Sequence, residues 1–263
     1  MAEKAPLRVL YLSKSSGYQH SVVTRDGDKL SSSELIVKTL GNTIGAEVTC
    51  TKDASLINAE SLKNYDVVVF YTSGNLTESG TDKTTPMGPN GVAELVEWIE
   101  QGGGFVGFHA ACDSYRGEGD ATTPYSEMIG GEFAGHGKQF VGDLNFIDTR
   151  HPAVKRWPAK WTALEEWYTF VKLNTETMHV LAMCDPGEER TKQEMYNRPD
   201  YPLVWCRAQG EGRVYNNALG HRESVWEDKD FQLGIIDAIQ WAGGRGRTKA
   251  KPNYDKVVPA EKK

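Results

Sequence analysis

No stretch of the 263-residue chain approaches the ~20 consecutive apolar residues needed to cross a bilayer, so a helical membrane span is excluded. Cysteine is scarce: Cys50, Cys112, Cys184 and Cys206 are the only ones. None stands in a C-x-x-C, which excludes a cysteine-built zinc knuckle, and so few thiols demand no oxidising compartment. Cys50, Cys184 and Cys206 sit in apolar or alternating stretches and are expected to be buried, reduced thiols. H-E-x-x-H is missing, so a zincin-type helix site is absent. There is no Walker pattern and no G-x-G-x-x-G after the first strand, so nucleotide binding has no support. Positive charge is not in excess: 30 basic against 36 acidic residues give −6, which argues against a nucleic-acid partner. Residues 1–7 lack the charged-then-apolar layout of a secretion signal. A soluble protein is expected, cytoplasmic or exported with a signal removed.

What is present is the balance of a globular chain, 39% hydrophobic and 25% charged, with 27 glycines. Residues 7–12 form a short apolar run that reads as a buried first strand, and 66–71 is the clearest buried strand of all. Residues 47–51 and 105–109 add two more. A helix with Leu35, Ile36, Leu40 and Ile44 on its inner face is capped within Ser31–Ser33. Another spans about 91–101 and ends at Gly102-Gly103-Gly104. This alternation specifies an α/β fold: a parallel sheet with helices on both faces. Strands then dominate, at 139–148, 163–171, 179–184, 202–208 and 213–219, before a last helix at 231–241. Residues 1–243 read as a single domain. The tail 244–263 carries seven basic and two acidic residues and is expected to be solvated or weakly docked.

The histidines are the sharpest lead. Ligands of open parallel sheets bind outside the carboxyl ends of the strands. His109 ends the strand 105–109, His221 follows the strand 213–219, and His20 lies just beyond the first strand. His136, in the loop Gly135-His136-Gly137, is within reach of the same rim. His179 at a strand start and His151 beside Pro152 read as structural. Imidazoles with a carboxylate suit a first-row divalent metal, zinc if the site is tetrahedral. The carboxylate candidates are Asp113, Glu165 and Glu166. Alternation along 163–171 sends one of the two glutamates into a site and the other to solvent. Gly107-Phe108-His109-Ala110-Ala111 has the spacing of a nucleophile elbow with histidine in the nucleophile's slot. Seven tryptophans and eleven tyrosines exceed what a core requires, and aromatic faces suit sugar rings. Tyr18, Tyr115, Trp167, Tyr168 and Trp226 lie in or beside these loops, whereas Trp98, Trp205 and Trp241 read as core.

A longer set of motifs runs from about residue 7 to 243. It comprises Gly17-Tyr18-Gln19-His20, Tyr65-Asp66-Val67-Val68-Val69, Gly102-Gly103-Gly104 through Ala111, and Gly130-Gly131-Glu132-Phe133-Ala134-Gly135-His136. His151-Pro152, Glu165-Glu166-Trp167-Tyr168, Tyr201 through Trp205, Gly212-Arg213-Val214 and Leu219-Gly220-His221 complete it. In this order the motifs resemble the ThuA-like proteins, named for trehalose utilisation and related in fold to class I glutamine amidotransferases. The resemblance implies a flavodoxin-like (class I glutamine amidotransferase-like) sheet with an added β-rich portion. It also implies a role in sugar catabolism, often alongside oxidoreductases that make 3-keto sugars. The family's histidine motifs map to His20, His109, His136 and His221, and its acid-aromatic motif to Glu166 and Tyr168. Glu165 stands where the family motif begins with Asp. The amidotransferase cysteine is replaced by His109, so that activity is not carried over.

Two expectations follow. In the first the protein is a metal-assisted hydrolase, lyase or isomerase acting on a sugar such as a 3-keto-glycoside. His20, His109 and His221 would hold a divalent metal, zinc in the first place. Glu166, His136 and Tyr168 would be catalytic, while Tyr18, Trp167 and Arg222 would contact a small-molecule carbohydrate. In the second the domain is non-catalytic and binds a carbohydrate or docks a partner. Cys112 is displaced from the elbow slot, so a Cys112→Ser variant is expected to keep nearly full activity. Total loss with intact folding would make the thiol the nucleophile.

Overall fold

The computed structural model describes residues 5–246 and 250–259. Its first part alternates as the apolar pattern dictates: β1 (Arg8–Leu12), α1 (Ser32–Thr43), β2 (Glu47–Thr51), α2 (Ala59–Leu62), β3 (Val67–Phe70), α3 (Gly91–Glu100) and β4 (Gly104–Phe108). A 3-10 turn at His109–Asp113 leads to α4 (Pro124–Ile129), β5 (Glu132–Gly135), β6 (Phe140–Phe146), β7 (Lys160–Glu165) and β8 (Thr169–Val171). Then come β9 (His179–Asp185), α5 (Glu189–Lys192), β10 (Tyr201–Gln209), β11 (Gly212–Asn217), α6 (Glu223–Glu227), α7 (Lys229–Ala242) and α8 (Tyr254–Val257). None of the described helices is long and apolar enough to cross a membrane.

Nine described strands form one sheet in the order β2-β1-β3-β4-β11-β10-β9-β6-β7, and β5 pairs with β8 apart from it. The strands from β2 to β11 in that order run parallel. Every pairing from β11 onward is antiparallel. The β-rich portion is therefore mostly a continuation of the parallel sheet. Strands β1, β3 and β4 are almost wholly apolar because helices cover both faces. Phe70 and Phe105 pack on Tyr125 of α4. Phe108 packs instead on Trp226 of α6 and Phe231 of α7. The parallel strands share one direction, so their carboxyl ends form a single rim.

Two expectations change. Ile36, Leu40 and Ile44 pack against the core as expected, but Leu35 is 53% exposed and the most buried residues of α1 are Ser33, Glu34, Val37 and Gly41. The cause is the capping box of Ser31 with Glu34, because it turns Glu34 inward, where Arg25 and the Ser13 hydroxyl bond its carboxylate. The expected strand 163–171 is two strands, β7 on β6 and β8 on β5, with a break at 166–168. The described part of the tail is seated: Asn253 bonds both the N–H and the carbonyl of Val180. His179 Nδ1 lies 2.6 Å from the Lys251 carbonyl oxygen.

His151 is buried, with its Nδ1 accepting the Ala153 N–H at 3.2 Å and its Nε2 3.7 Å from Cys206 Sγ. Burial pushes this imidazole down to about 4, and the neighbouring His179 adds to the effect. The unfolded chain then takes up a proton that the folded one refuses, so stability present above pH ~6.5 is lost as pH falls towards 4, by about 3 kcal/mol. In His151→Asn the new Oδ1 can accept the same N–H without titrating. Denaturant midpoints measured from pH 7 to 4 are expected to show a flatter slope for this variant. An unchanged slope would place the titration elsewhere.

Candidate functional site

The rim loops deliver the histidines one by one. The segment between β1 and His20 is pinned to the loop after β3, with Ser73 Oγ donating to the Tyr18 carbonyl at 2.7 Å. His109, immediately after β4, has φ +44°. That left-handed conformation costs a non-glycine residue about 1–3 kcal/mol. It is held because Nδ1–H donates to the Ala218 carbonyl at 2.9 Å and the ring stacks on Tyr168 with centroids 4.0 Å apart. The elbow spacing is thus a real elbow that presents an imidazole. His221 follows Gly220, whose φ of +118° favours glycine. The Gly220 carbonyl accepts from Trp226 Nε1 at 2.8 Å and from the Tyr71 hydroxyl at 3.1 Å.

The carboxylates come from the other end of the sheet. Glu165, the last residue of β7, accepts the Gly220 and His221 N–H groups on Oε2 at 3.0 and 3.2 Å. Its Oε1 accepts the Glu166 N–H at 2.7 Å. Glu166 turns into the histidines: Oε2 lies 2.9 Å from His221 Nδ1 and 3.4 Å from His109 Nε2, and Oε1 lies 3.3 Å from His136 Nδ1. Both glutamates are buried, so the expectation that one faces solvent is overturned. The strand ends between them, and alternation no longer applies.

The ligand atoms of His20, His109, His221 and Glu166 all lie within 4.8 Å of one another. The Tyr168 hydroxyl is 3.5 Å from His20 Nε2. His109 Nε2 and His221 Nδ1 are buried and meet hydrogen-bond geometry with no described residue. Two buried ring nitrogens facing one carboxylate can hold a metal ion. Burial pushes the His20 imidazole down to about 2, with His109 and His221 reinforcing it. Burial disfavours the charged Glu166, yet the His109 and His221 rings outweigh it and hold this carboxyl below its ordinary range. Burial likewise opposes charge on His221, but Glu166 and Glu165 raise it. Glu165 itself is pushed up, chiefly by burial.

His136 is exposed at the mouth, with Nδ1 2.9 Å from the Gly137 carbonyl oxygen. Tyr18, 67% exposed, sets its ring edge-on to His20 at 4.8 Å. Arg222 Nη1 donates to Gln139 Oε1 at 2.6 Å, while its Nε has no hydrogen-bond partner among the described residues. Trp167 is not a substrate contact: it is fully buried, and its indole N–H donates to the Phe140 carbonyl at 2.9 Å. Trp226 is also core. Cys112 is buried, with Sγ 3.3 Å from Asn216 Oδ1, and burial raises its thiol. Sequence reasoning missed Tyr71, Phe133 and the anchoring role of Glu165. Tyr71 was findable, since it closes the clearest buried strand on the same rim. Phe133, 4.2 Å from the Tyr168 ring, left no such signal.

The profile of the family described as ThuA, trehalose utilisation, matches residues 8–242. A protein of Parabacteroides merdae described as ThuA-like superposes with a TM-score of 0.68 at 19% identity, over 97% of each chain. A second, from Bacteroides uniformis, gives 0.65 at 20% identity, over 97% of this chain and 98% of its own. A cytoplasmic protein of Salmonella typhimurium gives 0.58 at 13% identity, over 90% of this chain and 99% of its own. At these identities the likeness is one of fold. No curated protein matches the sequence.

Glu165→Ala would strip three backbone N–H groups of their acceptor. The expected cost is about 2–4 kcal/mol, with Glu165→Gln recovering part of it. Urea unfolding and amide exchange at Gly220 and His221 check this. An unchanged midpoint and unchanged exchange would show that Glu165 does not hold the loop.

Proposed function

The chain belongs to the ThuA, trehalose-utilisation, family, and from that premise we propose that it is a sugar-catabolic enzyme built around a divalent metal ion, zinc first, held by His20, His109 and His221. One observation carries the reading: the ligand atoms of three imidazoles and Glu166 lie within 4.8 Å of one another, and two buried ring nitrogens face that one carboxylate at 2.9 and 3.4 Å. Tetrahedral zinc with bonds near 2.1 Å needs donors about 3.4 Å apart. Of the Glu166 contacts, that to His109 at 3.4 Å matches this spacing and that to His221 at 2.9 Å is about half an ångström shorter. The Ala218 carbonyl fixes the tautomer of His109 with its Nε2 lone pair towards the cluster, as second contacts to metal-binding imidazoles do.

When bound, the cation would supply Lewis acidity towards a sugar carbonyl. The chain's own groups supply the rest. Glu166 faces the imidazoles through Oε2 and His136 through Oε1, so it can complete the donor set with one oxygen and exchange a proton through the other. His136 is exposed and passes that proton to solvent. The substrate that suits this set is a glycoside with a keto group, such as a 3-keto-glycoside, because the carbonyl acidifies the neighbouring C–H bond and elimination or enolisation then needs one base. Tyr168 and Arg222 orient hydroxyls, and Tyr18 offers an aromatic face to the sugar ring.

Elemental analysis tests the reading directly. Wild type, as purified or after zinc addition, is expected to hold about one ion per chain, and folded His109→Ala and His221→Ala to bind it at least tenfold more weakly. Equal content in all three, or none after zinc addition, rejects the metal site and leaves a non-catalytic carbohydrate-binding or partner-docking domain. His20 is already neutral, so protons compete at His221, which Glu166 raises. Affinity is expected to fall as pH drops from about 8 towards 6, and a flat profile would exclude His221 as a ligand.

A further inference from the structure

A cavity of ≈ 680 Å³ opens on the same rim, lined by Pro89, Val92, Ala93, Tyr115 and Pro124, with Asp113 and Arg116 on one flank. Three connections tie it to the histidine cluster. Gly17, in its wall, precedes Tyr18, whose ring lies 4.8 Å from His20. Asp113 ends the 3-10 turn that His109 begins. Arg116 lies 5.9 Å over the Phe133 ring, which is 4.2 Å from Tyr168.

The chemistry of the walls is selective. Thr123 Oγ1 donates to the Tyr115 carbonyl at 2.7 Å and accepts the Ser126 N–H at 3.1 Å. The Asn75 side chain is bonded to Thr77 and Glu78. Asp113 is paired with Arg116 Nε at 3.0 Å. A second sugar ring brought here would bury hydroxyls against groups already bonded, which is costly, whereas a carbon ring meets apolar walls. Tyr115 is held in place, its hydroxyl 3.1 Å from Met87 Sδ and its ring 5.5 Å from Tyr125.

We infer that this cavity is the aglycone site of the same centre: with the sugar ring at the histidines, an apolar, ring-bearing aglycone lies against Tyr115, Val92 and Ala93. The assignment rests on the sugar reading given above. NMR titration of the full chain separates the two, using phenyl glucosides of both anomers, methyl glucoside, phenol and cellobiose. A phenyl glucoside is expected to shift the Val92 and Ala93 methyls together with the His109 and His221 ring signals. Methyl glucoside should shift the ring signals alone, and phenol the methyls alone. Ala93 is an exposed helix position, so Ala93→Trp fills the cavity with the fold intact. It should weaken the phenyl glucoside at least tenfold and leave methyl glucoside unchanged. A phenyl glucoside that moves the rings without the methyls, or binds Ala93→Trp unchanged, overturns the aglycone site and spares the sugar reading. Phenol moving the methyls while no glucoside moves the rings overturns the sugar reading, and the aglycone assignment with it. Cellobiose moving the methyls as strongly as phenyl glucoside overturns the apolar preference. No response to any probe overturns both.

Discussion

The Glu165 carboxylate accepts the N–H groups of Gly220, His221 and Glu166, and so ties the last strand in the sheet order to the loop after the fifth. That tie orients two side chains of the cluster at once. It holds the backbone that presents His221, and it directs Glu166 back towards His109 and His221. The antiparallel half of the sheet therefore reaches round to the rim of the parallel half. The three bonds show that the Glu165 side chain makes the connection.

Two buried carboxylates beneath three imidazoles would be costly unless their charges were compensated. Glu165 meets this with backbone donors, and Glu166 with the rings around it. His20 contributes no charge, since burial keeps it neutral. The cluster thus sorts its members by surroundings: one imidazole neutral, one raised by its carboxylate neighbours, and a carboxylate held ionised. Such separation of titrating groups is common at functional sites.

The long loop between β3 and α3 walls the same rim, and buried charge keeps it in place. Lys14 is fully buried with Nζ bonded to the carbonyls of Ser79 and Thr84, at 2.9 and 3.1 Å. Asp82 accepts the Ser15 N–H at 2.6 Å and lies 3.5 Å from Lys52 Nζ. A connection of this length without regular structure needs such anchors. Here they join it to the loop after β1, which delivers His20.

The sequence by itself determined the alternation of strands and helices through β4, because apolar periodicity and capping are local properties of a short window. It also placed His20, His109 and His221 on one rim, since a parallel sheet puts the ends of its strands together wherever the chain returns. Glu166, His136 and Tyr168 were candidates by residue type and loop position, and the matched motif assigned them to one site. Tertiary structure alone decided that Glu165 is an anchor, that Trp167 is core, and that residues 250–258 lie on β9. Each of these depends on a partner far along the chain, such as Gly220 for Glu165 and Phe140 for Trp167. Spacing within one segment encodes which residues share a face. It cannot encode which distant backbone group will satisfy a buried carboxylate or indole, because that partner exists only once the sheet has formed.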